Sequence, residues 1–384
     1  MTAHALLSAS GSKRWMSCTP SARLEATLPE PKRNTKGIDF SAEGTLAHTL
    51  SEIRLKLYYN QITEQEFNEE YKDVKSHVIY ESYTSEERAD FEANVDNYVL
   101  YVRSQIGEGD TPLFEQRVDY SDWVPDGFGT ADVVILSERS IRIIDLKFGR
   151  GIPVSAQDNS QLRLYALGAY AKFKEEFPNI RDVSYTIHQP RLDSISNDGT
   201  TIAKLLDWST YFVKPKAKKA WAGSGEFLPG EWCQFCRAKD QCRARADFNS
   251  ELAKQDFKEP ALLTTEEIFS ILPKAQDLKA WVSDVEEFVL NQAVEKNIVP
   301  KGYKLGTTVT HRKIADSQLA ATVLVENGLP ADQLWEAPKL KSLAALEKIG
   351  PKGKVAGWLG DLVIRPEGQP KLVRVKDSAE EEFK

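Results

Sequence analysis

"GTADVVILSERSIRIIDLKFGRG", Gly129–Gly151, reads as two strands joined by a polar turn, and it decides the fold. The runs "VVIL" and "IRII" are β-branched and aliphatic, and "SERS" between them has turn chemistry, so the pair forms a hairpin. Asp132, Asp145 and Lys147 interrupt strands that otherwise want burial. A charged strand residue ordinarily faces water on the polar side of the pleat. Alternation, however, puts Asp145 and Lys147 on one face and Ile144, Leu146 and Phe148 on the other. Asp132 follows the close-approach glycines Gly127 and Gly129. With antiparallel pairing it converges on Asp145 at one end of the sheet. Two carboxylates there repel unless a cation sits between them. Hard oxygen ligands suit Mg2+ or Mn2+, and a lysine beside that cation orients a water for attack on a phosphodiester.

Outward from the pair, "AEGTLAHTLSEIRLKLYYN" has helical periodicity, with Ser41 as its N-cap. "TSEERADFEANVDNYVLYVRSQIG" is a second helix. Thr84 with Arg88 does not make a capping box, and Ser85 with the acidic first turn marks the start. "PLFEQRVDYSD" reads as a strand with Pro112 at its edge. Beyond the pair, "NSQLRLYALGAYAKFKEEF" is an amphipathic helix capped by Asn159 or Ser160, and "RDVSYTIHQPR" is a strand stopped by Pro190. This order predicts an α/β fold, a central mixed sheet flanked by helices. A length of 384 residues suits one large domain with an appendage. The boundaries read as 1–250 for the domain and 258–384 for a smaller, mainly helical accessory region. That region contains "TTEEIFSILPKAQDLKAWVSDVEEFVLNQAVEKN", "SQLAATVLVENG" and "LKSLAALEKIG", and "KDSAEEEFK" reads as a frayed acidic tail.

The N-terminal stretch has no apolar core of a signal peptide, and no apolar run reaches a membrane span, so the expected location is the cytoplasm. Net charge is −7, which neither announces nor excludes a nucleic-acid partner. Of four cysteines, Cys18 stands alone, while Cys233, Cys236 and Cys242 fall in "EWCQFCRAKDQCRARA" as C-x2-C-x5-C. Without a secretory signal a four-thiolate metal centre is favoured over disulfides. Zn2+ suits four thiolates, and four free packed thiols are a further reading. Basic residues gather in "KFGRG" (Arg150), "QPR" (Arg191), "KPKAKKAW" (Lys214, Lys216, Lys218, Lys219) and "CRARA" (Arg243, Arg245). With Trp221 and Trp232 they fit a phosphate-tracking groove, against which stands an ordinary solvated helix face. "LAALEKIGPKGKVAGWL" resembles a helix–hairpin–helix DNA clamp, with Lys348 where that motif wants its first glycine. A small helical protein-interaction domain is the other reading.

Taken as a set, "GTLAH", "GTAD", "DLK" and "QLRLY" resemble the nuclease core of the PD-(D/E)XK superfamily, specifically its RecB-like branch. That branch carries G-x-x-x-H, G-x-x-D, D-x-K and Q-x-x-x-Y in this order. The cysteine plan is similar to the iron–sulfur subset of the branch, which includes AddB-type and CRISPR-adaptation nucleases, and the layout resembles a phage- or prophage-borne group. The resemblance covers roughly Ser10 to Ala246. It implies that His48, Asp132, Asp145 and the Leu146 carbonyl ligate Mg2+ or Mn2+. It makes Lys147 the water-activating residue, with Gln161 and Tyr165 holding Lys147 or the DNA. Cys18, Cys233, Cys236 and Cys242 would hold a [4Fe–4S] cluster of structural role. Glu115 reads either as a supporting or second-metal acid or as a solvated edge residue, and Glu43 as an acid without a ligand role. The implied activity is a metal-dependent DNA exonuclease for recombination or replication of a mobile element. Its partners would be DNA and a recombination or single-strand-binding protein. Alternatives are a catalytically silent scaffold on the same fold and a restriction-type endonuclease.

Overall fold

The computed structural model describes residues 5–29, 40–150, 153–255, 265–307 and 313–336, then 339–340, 343, 346, 354–364 and 370–374. The acidic tail and most of the "LAALEKIGPKGKVAGWL" segment lie outside the described residues. The chain divides into two compact units, Met1–Trp281 and Val282–Lys384.

In the first unit, helices precede the sheet: α1 (Ser12–Ser17), α2 (Ser21–Ala26), α3 (Phe40–Tyr58), α4 (Glu64–Ser76), α5 (Val78–Ser82) and α6 (Ser85–Ser104). Helix α3 begins at Phe40, so Ser41 lies inside it and is not its cap. Helix α6 does carry a capping box, closed by Thr84 with Glu87, three residues on, and not with Arg88. The sheet follows in the order β1 (Thr111–Asp119), β2 (Phe128–Leu136), β3 (Ser140–Leu146), β4 (Asp182–Gln189) and β5 (Ser194–Thr201). All neighbours are antiparallel except β3 and β4, which are parallel. A parallel pair needs a crossover, and α7 (Ser160–Phe173) is the helix between them in sequence. Asn159 caps α7 by accepting from the N–H groups of Gln161 and Leu162. A Cβ on Gly168 would come within 2.8 Å of Val118, so glycine lets α7 lie close on β1.

Each face of the sheet carries its own core. Ile141, Ile143, Val134 and Leu136 pack with Leu162, Leu164 and Ala166 of α7. Val133, Ile135, Ile144 and Leu146 pack with Leu50 and Ile53 of α3 and with Phe91 and Val95 of α6. Burying each such side chain contributes about 1.5–3 kcal/mol. After the sheet come α8 (Ile202–Trp208), a π-helical turn (Ser209–Val213), α9 (Lys214–Ala222), α10 (Arg243–Gln255) and α11 (Thr265–Lys296).

The second unit holds α12 (Ser317–Glu326), capped by Asp316, and a ribbon in which Tyr303–Thr307 pairs antiparallel with Pro370–Arg374. Its core gathers Ala320, Leu324, Leu334, Leu346 and Leu359. The fold is thus mixed α/β, a five-stranded mixed sheet flanked by helices with a mainly helical later region. No described helix is long and apolar enough to cross a membrane.

Candidate metal centre

The hairpin register pairs Val133 with Ile144, and one further step sets Asp132 opposite Asp145. Across β1 and β2, Phe114 pairs with Val133 and Gln116 with Ala131, which sets Glu115 opposite Asp132. The acids therefore form one row across three strands. The ladder is interrupted there. Glu115 has φ 46°, a left-handed conformation that costs a non-glycine residue about 1–3 kcal/mol. Both strands change phase at this point. Phe114 and Val118, an even number of residues apart, belong to opposite cores, as do Ala131 and Val133. Backbone strain is thus spent where the carboxylates converge.

His48 reaches the row from α3, with Nδ1 3.4 Å from Asp132 Oδ2 and 3.9 Å from Glu115 Oε1. Asp132 Oδ2 also accepts from the Leu146 N–H at 2.7 Å. On the α7 side, Lys147 Nζ lies 2.7 Å from Asp145 Oδ2. The Gln161 amide donates to Asp145 Oδ1 at 3.1 Å and to the Tyr165 hydroxyl at 3.2 Å, while its oxygen accepts from Lys147 at 3.5 Å. A Cβ on Gly129 would stand 2.9 Å from the Tyr165 ring, so the glycine before Asp132 makes room for that ring.

Electrostatics follow from this packing. Burial opposes charge on His48, but Asp132, Asp145 and Glu115 outweigh it and lift the imidazole to about 9. Burial and then the Asp132 charge raise Glu115 to about 7. Asp132 is also buried, yet His48, Lys147 and the Leu146 N–H hold it below the usual carboxylate range. Burial pushes Asp145 up; Lys147 opposes the rise and Asp132 adds to it. Among the described residues, His48, Glu115 and Asp132 have ligand atoms that all lie within 4.8 Å of one another and form a possible metal site.

The sequence sets Arg191 among the phosphate contacts and leaves Glu43 without a role; the structure joins the two. The Arg191 side chain is 7% exposed, with Nη1 and Nη2 donating to Glu43 at 2.8 and 2.9 Å. Its guanidinium stacks 4.4 Å above Phe148, and the Tyr83 hydroxyl donates to Glu43. This lock ties the start of α3, and with it His48, to the ends of β3 and β4. Nothing in local periodicity signals it, because the partners are far apart in sequence. Arg150 stays at the surface, paired with Asp90 at 2.9 Å. Lys218 and Lys219 are exposed and Lys216 is half-buried.

Cys18, Cys233, Cys236 and Cys242 line one cavity with Arg14 and Arg245. All four are free thiols, and their sulfurs are not gathered to the spacing of the acidic set. Burial raises Cys18 and Cys233, and raises Cys236 to about 12. Around them, Arg14 donates to the Phe235 carbonyl at 3.1 Å, and Glu25 accepts from the Arg237 N–H at 2.8 Å. The N-terminal helices are thereby held to the cysteine segment.

A family model described as "Protein of unknown function (DUF2800)" matches residues 4–380. The chain belongs to the DUF2800 family. The match takes in the second unit of this DUF2800 chain as well as the first. Among solved structures the chain is similar to one titled "Crystal structure of SSO0001", at 14% identity and a TM-score of 0.23. That match covers 59% of this DUF2800 chain and 94% of the other. At such a score it adds nothing to the fold, which rests on the sheet itself.

Proposed function

We propose that this chain is a divalent-metal-dependent deoxyribonuclease with a core of the PD-(D/E)XK kind. The observation that carries the reading is the Glu115–Asp132–Asp145 row, closed by His48 on one side and by Lys147 with Gln161 on the other. Carboxylates this close are costly without a cation. An imidazole with carboxylate oxygens fits Mg2+ or Mn2+, held by His48, Glu115 and Asp132, with Asp145 and the Leu146 carbonyl as further oxygens. Bound there, a divalent metal would supply a more acidic water and offset charge building on the phosphate. Lys147 is placed to orient an attacking water and to keep positive charge beside the reacting phosphate. Asp145 and Gln161 hold the Lys147 ammonium in place, and Tyr165 braces Gln161. The motif resemblance selects DNA ends as substrate, processed for recombination or replication of a mobile element.

The test is digestion of end-labelled linear and closed circular DNA with Mg2+ or Mn2+. Progressive loss of linear DNA with intact circles supports the exonuclease. Cutting of circles replaces it with an endonuclease. No cleavage of either substrate overturns the reading.

We further infer that the four cysteines hold a structural iron–sulfur cluster. The four cysteines line one shared cavity, and both Zn2+ and a [4Fe–4S] cluster are held by four thiolates. The resemblance of Cys18 with the C-x2-C-x5-C trio to the iron–sulfur subset of RecB-like nucleases favours the cluster. Iron and sulfide analysis of anaerobically purified protein checks this, and stoichiometric zinc overturns it.

A further inference from the structure

Between Trp208 and Ala222 the chain carries Lys214, Lys216, Lys218 and Lys219 and no acid, in a protein of net charge −7. The segment is one rod, in which α8 runs through the π turn into α9. Pro215 accounts for the wide turn. It has no N–H to donate, and its ring clashes with the carbonyl four residues back in an α-helix. The Lys214 N–H instead reaches the Ser209 carbonyl, five residues back. Tyr211 and Phe212 sit in this turn and are 80% and 46% exposed. Water-facing aromatic rings are unfavourable unless something covers them.

Phe212 belongs to a row in which two rings are flanked by two cations. Trp208 and Phe212 stack with centroids 6.4 Å apart and planes 19° off parallel. Arg163 stands 5.5 Å over Trp208 at one end, and Lys216 is 5.9 Å from the Phe212 ring at the other. Exposed Lys214 and Lys218, four apart on α9, share one stripe of the rod. Arg163 lies on the first turn of α7. One flank of that turn carries Gln161 to Asp145, and the other carries Arg163 to Trp208.

We propose that this face is a platform for single-stranded DNA, with bases stacking on Tyr211 and Phe212 and phosphates following Lys214, Lys218 and Lys219. Charge selects the occupant. Lysines are depleted in protein–protein interfaces, whereas cations beside exposed aromatic rings are what an unpaired strand needs. Duplex DNA keeps its base faces stacked and has nothing to offer the rings. The choice of DNA over RNA rests on the nuclease reading; the platform itself does not.

The experiment measures anisotropy of a labelled oligo-dT on the full chain in EDTA, across a salt series. Tyr211→Ala and Phe212→Ala each weaken binding about tenfold. The Lys214→Gln, Lys218→Gln, Lys219→Gln triple variant lowers the salt slope by about 2, from roughly 0.7 for each lost phosphate contact. Wild-type affinity in both aromatic variants overturns the proposal, as does duplex DNA competing as well as the single strand. Oligo-rU bound more tightly than oligo-dT overturns the choice of DNA. EDTA separates this from catalysis. Tyr211-dependent binding by a chain that cuts nothing overturns the nuclease and leaves the platform standing. Cleavage without such binding overturns the platform alone.

Discussion

The acidic row and the cysteine cavity are two sites of one unit, built from opposite materials. The row stands on strands whose register brings Glu115, Asp132 and Asp145 together, and its side chains already have partners in Leu146, Lys147 and Gln161. The cavity is made where regular structure stops. Cys18 follows α1, Cys233 lies in a short turn and Cys242 precedes α10. Burial keeps Cys18, Cys233 and Cys236 protonated, so a metal has to displace protons to bind. The sheet organises the first site before any ligand arrives, whereas the second rests on turns and loop segments held by the Arg14 and Glu25 contacts, to which a cluster, on the reading proposed above, would add order.

The sharpest way to break that contrast is to remove chemistry from the row. Asp145→Ala and Lys147→Ala should each lower DNA cleavage by about 10²–10³-fold or more while Tm and DNA binding stay close to wild type. Near-normal turnover in carefully purified protein would remove both residues from the site. The converse change is Cys236→Ser. Loss of one ligand should abolish visible iron–sulfur absorbance, lower Tm and make the Arg14–Pro20 stretch protease-sensitive, because metal-binding free energy is also folding free energy. A soluble, protease-resistant variant would mean that the Arg14 and Glu25 contacts alone hold the N-terminal helices.

A pH series sharpens the electrostatic half. In metal-free protein His48 titrates near 9 and Glu115 near 7, both above their ordinary values. The folded state therefore holds more protons than the unfolded state across this window. Stability is greatest at its acid end and falls as pH rises through 7 and then 9. A ligating His48 is neutral and a ligating Glu115 ionised, so Mg2+ or Mn2+ should bind more tightly with rising pH and release protons. Tm recorded from pH 5 to 9 in EDTA should slope downward, and saturating metal should flatten it. An EDTA profile already flat would mean that the acids of the row do not charge His48. The smallest effect belongs to Arg150→Ala, which breaks an exposed pair with Asp90 and should change stability by less than about 1 kcal/mol in urea unfolding.

What was legible in the sequence was local. Alternation placed Asp145 and Lys147 on one face, turn residues separated β2 from β3, Asn159 announced α7, and Pro190 ended β4. The C-x2-C-x5-C spacing marked the cysteines as a set. Strand β5 went unread because "SISNDGTT" has no apolar alternation; it is a strand because β4 offers it a ladder. The role proposed for Glu115 depends on a break between β1 and β2, and the Glu43–Arg191 lock depends on the start of α3 meeting the turn after β4. Side-chain direction along a strand and capping at a helix start are fixed by neighbours a few residues away, and composition reports them. Register across strands, the burial of a charge and the approach of His48 to Asp132 depend on which distant segments share a core, and only the folded chain decides that.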